Sequence, residues 1–438
     1  MGAATRGILR ELRAKWLAAL VAGLCCLWPA EYELQAAPAY FLGLGNLAGS
    51  SGFSFAYDVS GDGKVVVGEA SVSSTNSSGF RWTAASGMQP LDMPFAETTN
   101  ADGSVIAGAG YRWTASGGSK FLQGIPAEVD PFTIQIGNIS SSGTTLVGVY
   151  GSSPNLVAFR WDAPNGPATQ LTELLTAVAV SADGSTILGT AKNSQAVLWH
   201  GAGSVTLIPA QPGEARAYPM AITPDGTTAA VNSATAQLKF TPFIWSAADG
   251  PTLIGSLNGA GGQTFVRDLT NDGRLAVGTG NIGSVTHAFV WTEPLGIFDL
   301  ADWLVANGIT GLAGWKLNHA EAVSADGRVF VGRGTNPSGN PEGWVVTLPP
   351  VGDASLDGHV DGADYVRWAD HFLQTTKLFA EGDFNWDGVV NGADYVIWAD
   401  HFAPAASGST LQAVPEPSAI VLAFSGVVAL LMRRRWRH

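Results

Sequence analysis

The chain has 438 residues, a formal net charge of −13 and two cysteines, with 13% charged residues against 46% hydrophobic ones. Eight of the 23 basic residues sit at the two ends (Arg6, Arg10, Arg13, Lys15, Arg433, Arg434, Arg435 and Arg437). The stretch between is therefore strongly acidic; it repels phosphate backbones, which excludes nucleic acid as a partner.

Residues 1–39 read as a secretory signal peptide. Basic residues precede the apolar run WLAALVAGLCCLW, and Ala37-Pro38-Ala39 has the small-x-small pattern of a cleavage site before Tyr40. Cys25 and Cys26 lie inside that run. A mature chain without thiols excludes disulfides, zinc-thiolate centres and cysteine nucleophiles.

Residues 40–349 are paced by one phrase: YDVSGDGKVVVG, ETTNADGSVIAG, GNISSSGTTLVG, VAVSADGSTILG, MAITPDGTTAAV, RDLTNDGRLAVG and EAVSADGRVFVG. Its turn glycines are Gly63, Gly103, Gly143, Gly184, Gly226, Gly273 and Gly327, spaced 40 to 54 residues apart. Asp-Gly between apolar runs predicts a strand, a tight turn and a strand, because the turn needs positive φ. An aromatic pair follows at i and i+2 (Phe80/Trp82, Tyr111/Trp113, Phe159/Trp161, Phe243/Trp245, Phe289/Trp291), weakened to Val197/Trp199 and shifted to Trp344/Val346. Period two puts both side chains on one face of a third strand. Segments such as MQPLDMP, KFLQGIP and TLIGSLNG close each unit as a fourth.

Four short strands repeated seven times predict a mainly-β fold, a seven-bladed β-propeller. The last unit lacks its closing strand, and YFLGLGNLAG at the start of the mature chain resembles it, so the N-terminal strand is expected to close the ring. The phrases also resemble the extracellular HAF repeats, which implies export and a propeller-like fold and no particular reaction. Tryptophans recurring once per blade are read as core packing rather than sugar platforms, and the repeated Asp as a turn former, since Ser142-Gly143 dispenses with it. Phosphate-loop, HExxH and GxSxG motifs are absent. Asp268, Asp299, Asp302 and Glu321 are the carboxylates open to glycosidase-type chemistry. His200, His287 and His319 are read as loop or surface residues. The insertion LADWLVANGITGLAGWK at 300–316 predicts a short helix through Leu300, Trp303 and Leu304, and is the first place to look for a binding site.

Residues 351–403 hold GDASLDGHVDGADYVRWADHF and GDFNWDGVVNGADYVIWADHF, thirty residues apart. Counted from the first Asp, positions 1, 3, 5, 7, 9 and 12 are Asp353, Ser355, Asp357, His359, Asp361 and Asp364, then Asp383, Asn385, Asp387, Val389, Asn391 and Asp394. Gly358 and Gly388 fall at position 6. Oxygen donors at 1, 3, 5, 9 and 12, a carbonyl at 7 and a glycine at 6 are the grammar of an EF-hand-type calcium loop, so two calcium ions are expected. Tyr365, Trp368, Ala369 and Phe372, and Tyr395, Trp398, Ala399 and Phe402, form apolar stripes at helical spacing, each needing a partner helix. With Asp at position 12 and no incoming helix pattern, the pair resembles a dockerin type I domain. That resemblance implies a cohesin-like or other surface protein as partner. Cohesins read polar residues at positions 10 and 11, where this chain has Gly362-Ala363 and Gly392-Ala393.

An Ala/Ser linker, 404–413, leads to Pro415-Glu416-Pro417, the apolar segment 419–432 and an arginine cluster. These three parts in order, over 414–438, resemble the PEP-CTERM sorting signal. It implies a transmembrane segment before processing, cleavage by an exosortase, and delivery to the surface, outer membrane or extracellular matrix of a Gram-negative-type bacterium. The whole is read as an exported, non-enzymatic propeller with a calcium-dependent docking module. The rival reading is a polysaccharide hydrolase or lyase recruited through its dockerin; extracellular polysaccharide is the second candidate partner.

Overall fold

The computed structural model describes residues 39–403 apart from 48, 51, 164–165, 202–203, 260–261 and 377. The expected signal peptide up to residue 38, the linker, the Pro415-Glu416-Pro417 motif and the apolar segment 419–432 lie outside the described residues. Among the described residues no helix is long and apolar enough to cross a membrane.

The described strands form seven four-stranded antiparallel sheets in chain order. Blade 1 comprises β2 (Ser54–Val59), β3 (Val66–Ser71), β4 (Ser77–Thr83) and β5 (Gly87–Pro90). Blade 2 comprises β6 (Thr98–Thr99), β7 (Val105–Gly108), β8 (Tyr111–Thr114) and β9 (Gly118–Phe121). Blades 3, 4 and 5 begin with β10 (Gln135–Ile139), β14 (Leu174–Val180) and β18 (Arg216–Ile222). Blade 6 runs from β22 (Thr264–Leu269) through β23 (Leu275–Ile282) and β24 (Val285–Thr292) to β25 (Gly296–Asp299). Blade 7 has β26 (Lys316–Val323), β27 (Val329–Thr335) and β28 (Pro341–Thr347), and its fourth strand is β1 (Tyr40–Gly43), paired from Tyr40↔Thr347 to Gly43↔Trp344. The chain thus closes the ring with its own N-terminal strand, as its missing last strand predicted.

The repeated phrase has a physical reason at each letter. Ser60 Oγ accepts the Val65 N–H (3.0 Å) and donates to Asp62 Oδ1 (2.6 Å), which also accepts the Lys64 N–H (3.1 Å). The turn is thereby built from side chains as well as backbone. Gly63 (φ 72°) presses on the last blade, where a Cβ would stand 2.6 Å from Val329 Cγ2; Gly103 presses likewise on Val65 of blade 1. Hydrogen bonds Asp62 N to Ala101 O (2.9 Å) and Ala325 N to Gly61 O (3.1 Å) link turn to turn across blade boundaries. In blade 3, Ser142 Oγ takes over beside Thr144 Oγ1 (2.7 Å), so the turn survives without Asp.

The glycine that ends most phrases answers the aromatic strand. Gly68 pairs with Phe80, Gly148 with Phe159, Gly278 with Phe289 and Gly332 with Trp344. All four rings are fully buried. A Cβ at Gly148 would stand 2.3 Å from Gln135 O and 2.9 Å from the Phe159 ring. The rings are core, not platforms, and the glycine is the space they fill. His287 and His319 depart from the expectation of a loop or surface residue: both are half-buried strand residues, His287 of β24 with Nδ1 2.6 Å from Asp299 Oδ2, His319 of β26 with Nδ1 3.1 Å from Thr279 Oγ1 of the neighbouring blade.

Residues 351–403 form a small helical module. Helix α1 (Leu300–Ala306), in the insertion after blade 6, buries Leu300, Trp303 and Leu304 as expected. In the module, α2 (Gly362–Asp370) and α3 (Gly392–His401) each start on a capping box, Asp361/Asp364 and Asn391/Asp394. The two halves exchange tryptophans: Trp368 Nε1 donates to Asn391 O and Trp398 Nε1 to Asp361 O, both at 3.0 Å. Gly352 lies against Trp398 Cα, and Gly382 against Trp368 Cα. The two stripes meet through Tyr365, Trp368, Tyr395 and Trp398, of which Trp398 is buried, and Val360, Phe379 and Phe384 from outside α2 and α3 complete the core. Ala369, Ala399 and Phe372 are exposed instead, because the helices meet through their tyrosines and tryptophans.

Replacing Gly148 by Ala forces a methyl group into backbone and ring at once. The variant is expected to lose about 1–3 kcal/mol, read as a lower urea midpoint at unchanged slope.

Candidate functional site

Two places gather chemistry: the ring axis and the acidic loops of the module. The axis is set by the first strand of each blade. In six blades the pairing slips by one residue just before the turn, leaving Tyr57, Gly137, Val178, Met220, Arg267 and Glu321 as bulged residues. Bulges re-aim side chains. Residues from all seven first strands or the segments beside them line a central cavity of about 250 Å³.

This channel has two characters. Blades 3 to 5 contribute Gly137, Val180, Met220 and Ala221; blades 6, 7, 1 and 2 contribute Arg267, Asp268, Glu321, Tyr57, Asp58 and Glu97. Asp58 Oδ2 accepts Thr98 Oγ1 (2.9 Å) and the Thr99 N–H (2.8 Å) of the next blade. Glu97 Oε2 accepts the N–H groups of Ala109 (3.1 Å) and Ile136 (3.0 Å), and Asp268 Oδ2 that of Val323 (2.9 Å). The fully buried Asn232 makes the corresponding link with its amide to Val266. These groups latch blades 1, 2, 5 and 6 each to its successor. Glu321 gathers cations instead, 3.0 Å from Arg333 Nε and 3.7 Å from Arg267 Nε.

Burial, with the nearby charge of Asp268 next, lifts the Asp58 carboxyl to about 7. Burial likewise lifts Glu97 to about 7 and Asp268 to about 6. Of the four carboxylates singled out in the sequence, Asp268 and Glu321 meet in the channel. Asp299 and Asp302 stand apart, Asp299 capping α1 and lying 2.6 Å from His287 Nδ1. Asp58, Glu97 and Arg267 were missed. Their signal is the first two letters of each phrase, where polar blades write YD, ET, RD and EA and the others GN, VA and MA.

The module brings the twelve loop residues together in two matching sets. In the first, Asp353 accepts the N–H groups of Asp357 (3.1 Å) and Gly358 (2.8 Å), while Asp364 accepts those of Ser355 (2.8 Å) and Asp361 (2.7 Å). In the second, Asp383 accepts Asp387 (3.1 Å) and Gly388 (3.0 Å), and Asp394 accepts Phe384 (2.8 Å) and Asn391 (2.9 Å). Gly358 and Gly388 have φ of 88° and 83°, the sharp turn expected at position 6. The amides of Asn385 and Asn391 converge on Asp387 Oδ2, at 2.9 and 3.4 Å. His359 is exposed, which leaves position 7 its carbonyl alone to offer.

Asp353, Asp364, Asp383 and Asp394 are almost wholly buried. None has a basic side chain within ion-pair distance among the described residues. Burial raises all four, Asp383 to about 7, with Asp394 and Asp387 adding to it. Such a donor set fits a hard cation, which would supply the missing positive charge. No three His, Cys, Asp or Glu side chains among the described residues are grouped closely enough to hold a metal by themselves. The loop donors include serine, asparagine and backbone oxygens.

The fold and its axial cavity define the class: a seven-bladed β-propeller protein. No family model matches the chain, and no curated protein does. Among solved structures it is similar to TolB from Acinetobacter baumannii, at 13% identity over 55% of this chain and 61% of that one, with a TM-score of 0.37. It is similar to oligogalacturonate lyase from Vibrio parahaemolyticus at 12% identity, over 71% and 97%, TM-score 0.48. A β-propeller domain from Myceliophteria thermophila matches at 12% identity, over 67% and 96%, TM-score 0.44.

The channel acids set a pH dependence. Asp58, Glu97 and Asp268 hold protons in the folded ring that the unfolded chain, with ordinary carboxyls near 4, has released. Their contribution to stability is present at low pH and is lost as pH rises through about 6 to 7. The melting temperature should be higher at pH 5 than at pH 8, and Asp268→Asn, which removes a charge facing Asp58, should flatten the slope. A variant with the full wild-type slope would remove these acids as its source.

Proposed function

We propose that this chain is an exported scaffold protein in which the propeller presents a binding surface and the helical module is a calcium-dependent docking unit. One observation carries the reading: two loops of identical register bury carboxylates at positions 1 and 12 with no cationic partner. Calcium would be held by Asp353, Ser355, Asp357, the His359 carbonyl, Asp361 and Asp364. The second ion would take Asp383, Asn385, Asp387, the Val389 carbonyl, Asn391 and Asp394. Export, exosortase processing and surface delivery rest on the terminal motifs. The docking partner is a cohesin-like or other surface protein, met by a face bearing Gly362-Ala363 and Gly392-Ala393.

A second reading is a polysaccharide hydrolase or lyase. Asp58 and Asp268 support it, since they face one cavity and titrate near neutrality. Under that reading Asp268→Asn abolishes release of reducing ends from polysaccharide; under the scaffold reading wild type releases none.

Calcium titrated into the full chain should bind at two sites. At about a hundredfold excess over Kd each site should add roughly 2.7 kcal/mol to the module. A chelator should reverse the gain, and Asp357→Ala with Asp387→Ala should abolish it while the propeller transition stays put. Identical melting with calcium and with chelator would refute the calcium reading.

A further inference from the structure

The module does not hang free of the ring. Loop position 4, between the donors at 3 and 5, is Leu356 in the first loop and Trp386 in the second. Both have left-handed backbone, φ 63° and 57°, a region where a residue with a side chain is disfavoured and glycine is at ease. Both side chains reach the propeller at the same helix. Trp386 packs against Trp303 of α1, ring centroids 4.8 Å apart and planes tilted by 42°. Leu356 occupies the space over Gly308 just beyond α1, its Cδ1 2.3 Å from where a Cβ would stand. The buried Asn307 that ends α1 accepts the Phe379 N–H of the module at 3.0 Å. Arg328, in the last Asp-Gly turn, holds the connector through the carbonyls of Leu348 and Pro349, both at 3.1 Å.

We propose that the propeller is itself a partner of the loops: α1 is a receptor for the two position-4 side chains, so that cation binding and seating of the module are one coupled equilibrium. The inference rests on the calcium reading above. Gathering the donors at positions 3 and 5 fixes position 4 in its left-handed conformation, and that conformation aims Leu356 and Trp386 at α1. The unfavourable backbone is offset by burial at the seam. Coupling is reciprocal, so whatever calcium adds to seating, seating adds to calcium affinity.

The test turns on a sign. Trp386→Gly and Leu356→Gly relax the backbone of the loop while removing the contact with the ring. A loop acting alone would bind calcium more tightly after either change. Coupling through the seam predicts weaker binding, by about fivefold or more, in calorimetric titrations of the full chain with calcium chloride. In the wild type, calcium should slow amide hydrogen exchange over 300–309, which contains no ligand, and should fail to do so in Trp386→Gly. Equal or tighter binding in both variants overturns the proposal, as does unchanged exchange over 300–309 in the wild type. A wild-type chain that takes up no calcium overturns the calcium reading itself, a result distinct from uptake without coupling.

Discussion

β1 hydrogen-bonds to β28 and continues inward as Gly45 donates to Glu342, 297 positions away in sequence. The rest of the ring hangs on this contact. A twisted four-stranded sheet exposes two faces and can bury them only against neighbours, so each blade needs one on either side. Seven blades in a row would leave two open faces and an unpaired edge. Pairing β1 with β28 completes the seventh blade and closes the ring, and it seats Phe41 against Trp344 and Trp315 in the largest described apolar cluster.

Closure brings seven first strands together around one axis, and there the repeats stop being equivalent. Every blade needs a bond to its successor, and Asp58, Glu97, Asn232 and Asp268 make it with a side chain. An amide makes this link without a charge. A carboxylate makes it at the cost of burying one, which is why the three acids are raised while Asp62, Asp102, Asp183 and Asp225 in the turns are lowered. Asp183, fully exposed and held by the Ser185 N–H first of all, sits at about 2. Position in the ring, not residue type, decides which acids stay protonated near neutrality.

The same contrast of repetition and position explains what was legible. Asp-Gly turns, the aromatic pair, the borrowed strand and the two loops are local patterns repeated at fixed spacing, and repetition separates signal from chance. Asp58 and Glu97 stand in the variable first two letters of the phrase, which differ from blade to blade; they become a site only because ring geometry points them at a common cavity. The stripe assignments of Ala369, Phe372 and Ala399 failed for a related reason. Helical spacing defines a face, but the crossing of α2 and α3, set by the exchanged tryptophan hydrogen bonds, selects which part of it is covered. The insertion at 300–316, read as a candidate binding place, is occupied by the chain's own module through Trp386 and Leu356.

By itself the sequence determined the number of blades, the turn chemistry, the strand that closes the ring and the matched spacing of the two acidic loops. Each of these depends on spacing along one chain and on the backbone needs of single residues, such as positive φ at Gly63 or Gly388. Only the tertiary structure decided which acids face the axis, which half of the channel is polar, and that the module rests on α1. Those properties arise from residues in different blades and domains whose separation in space has no counterpart in their separation along the chain.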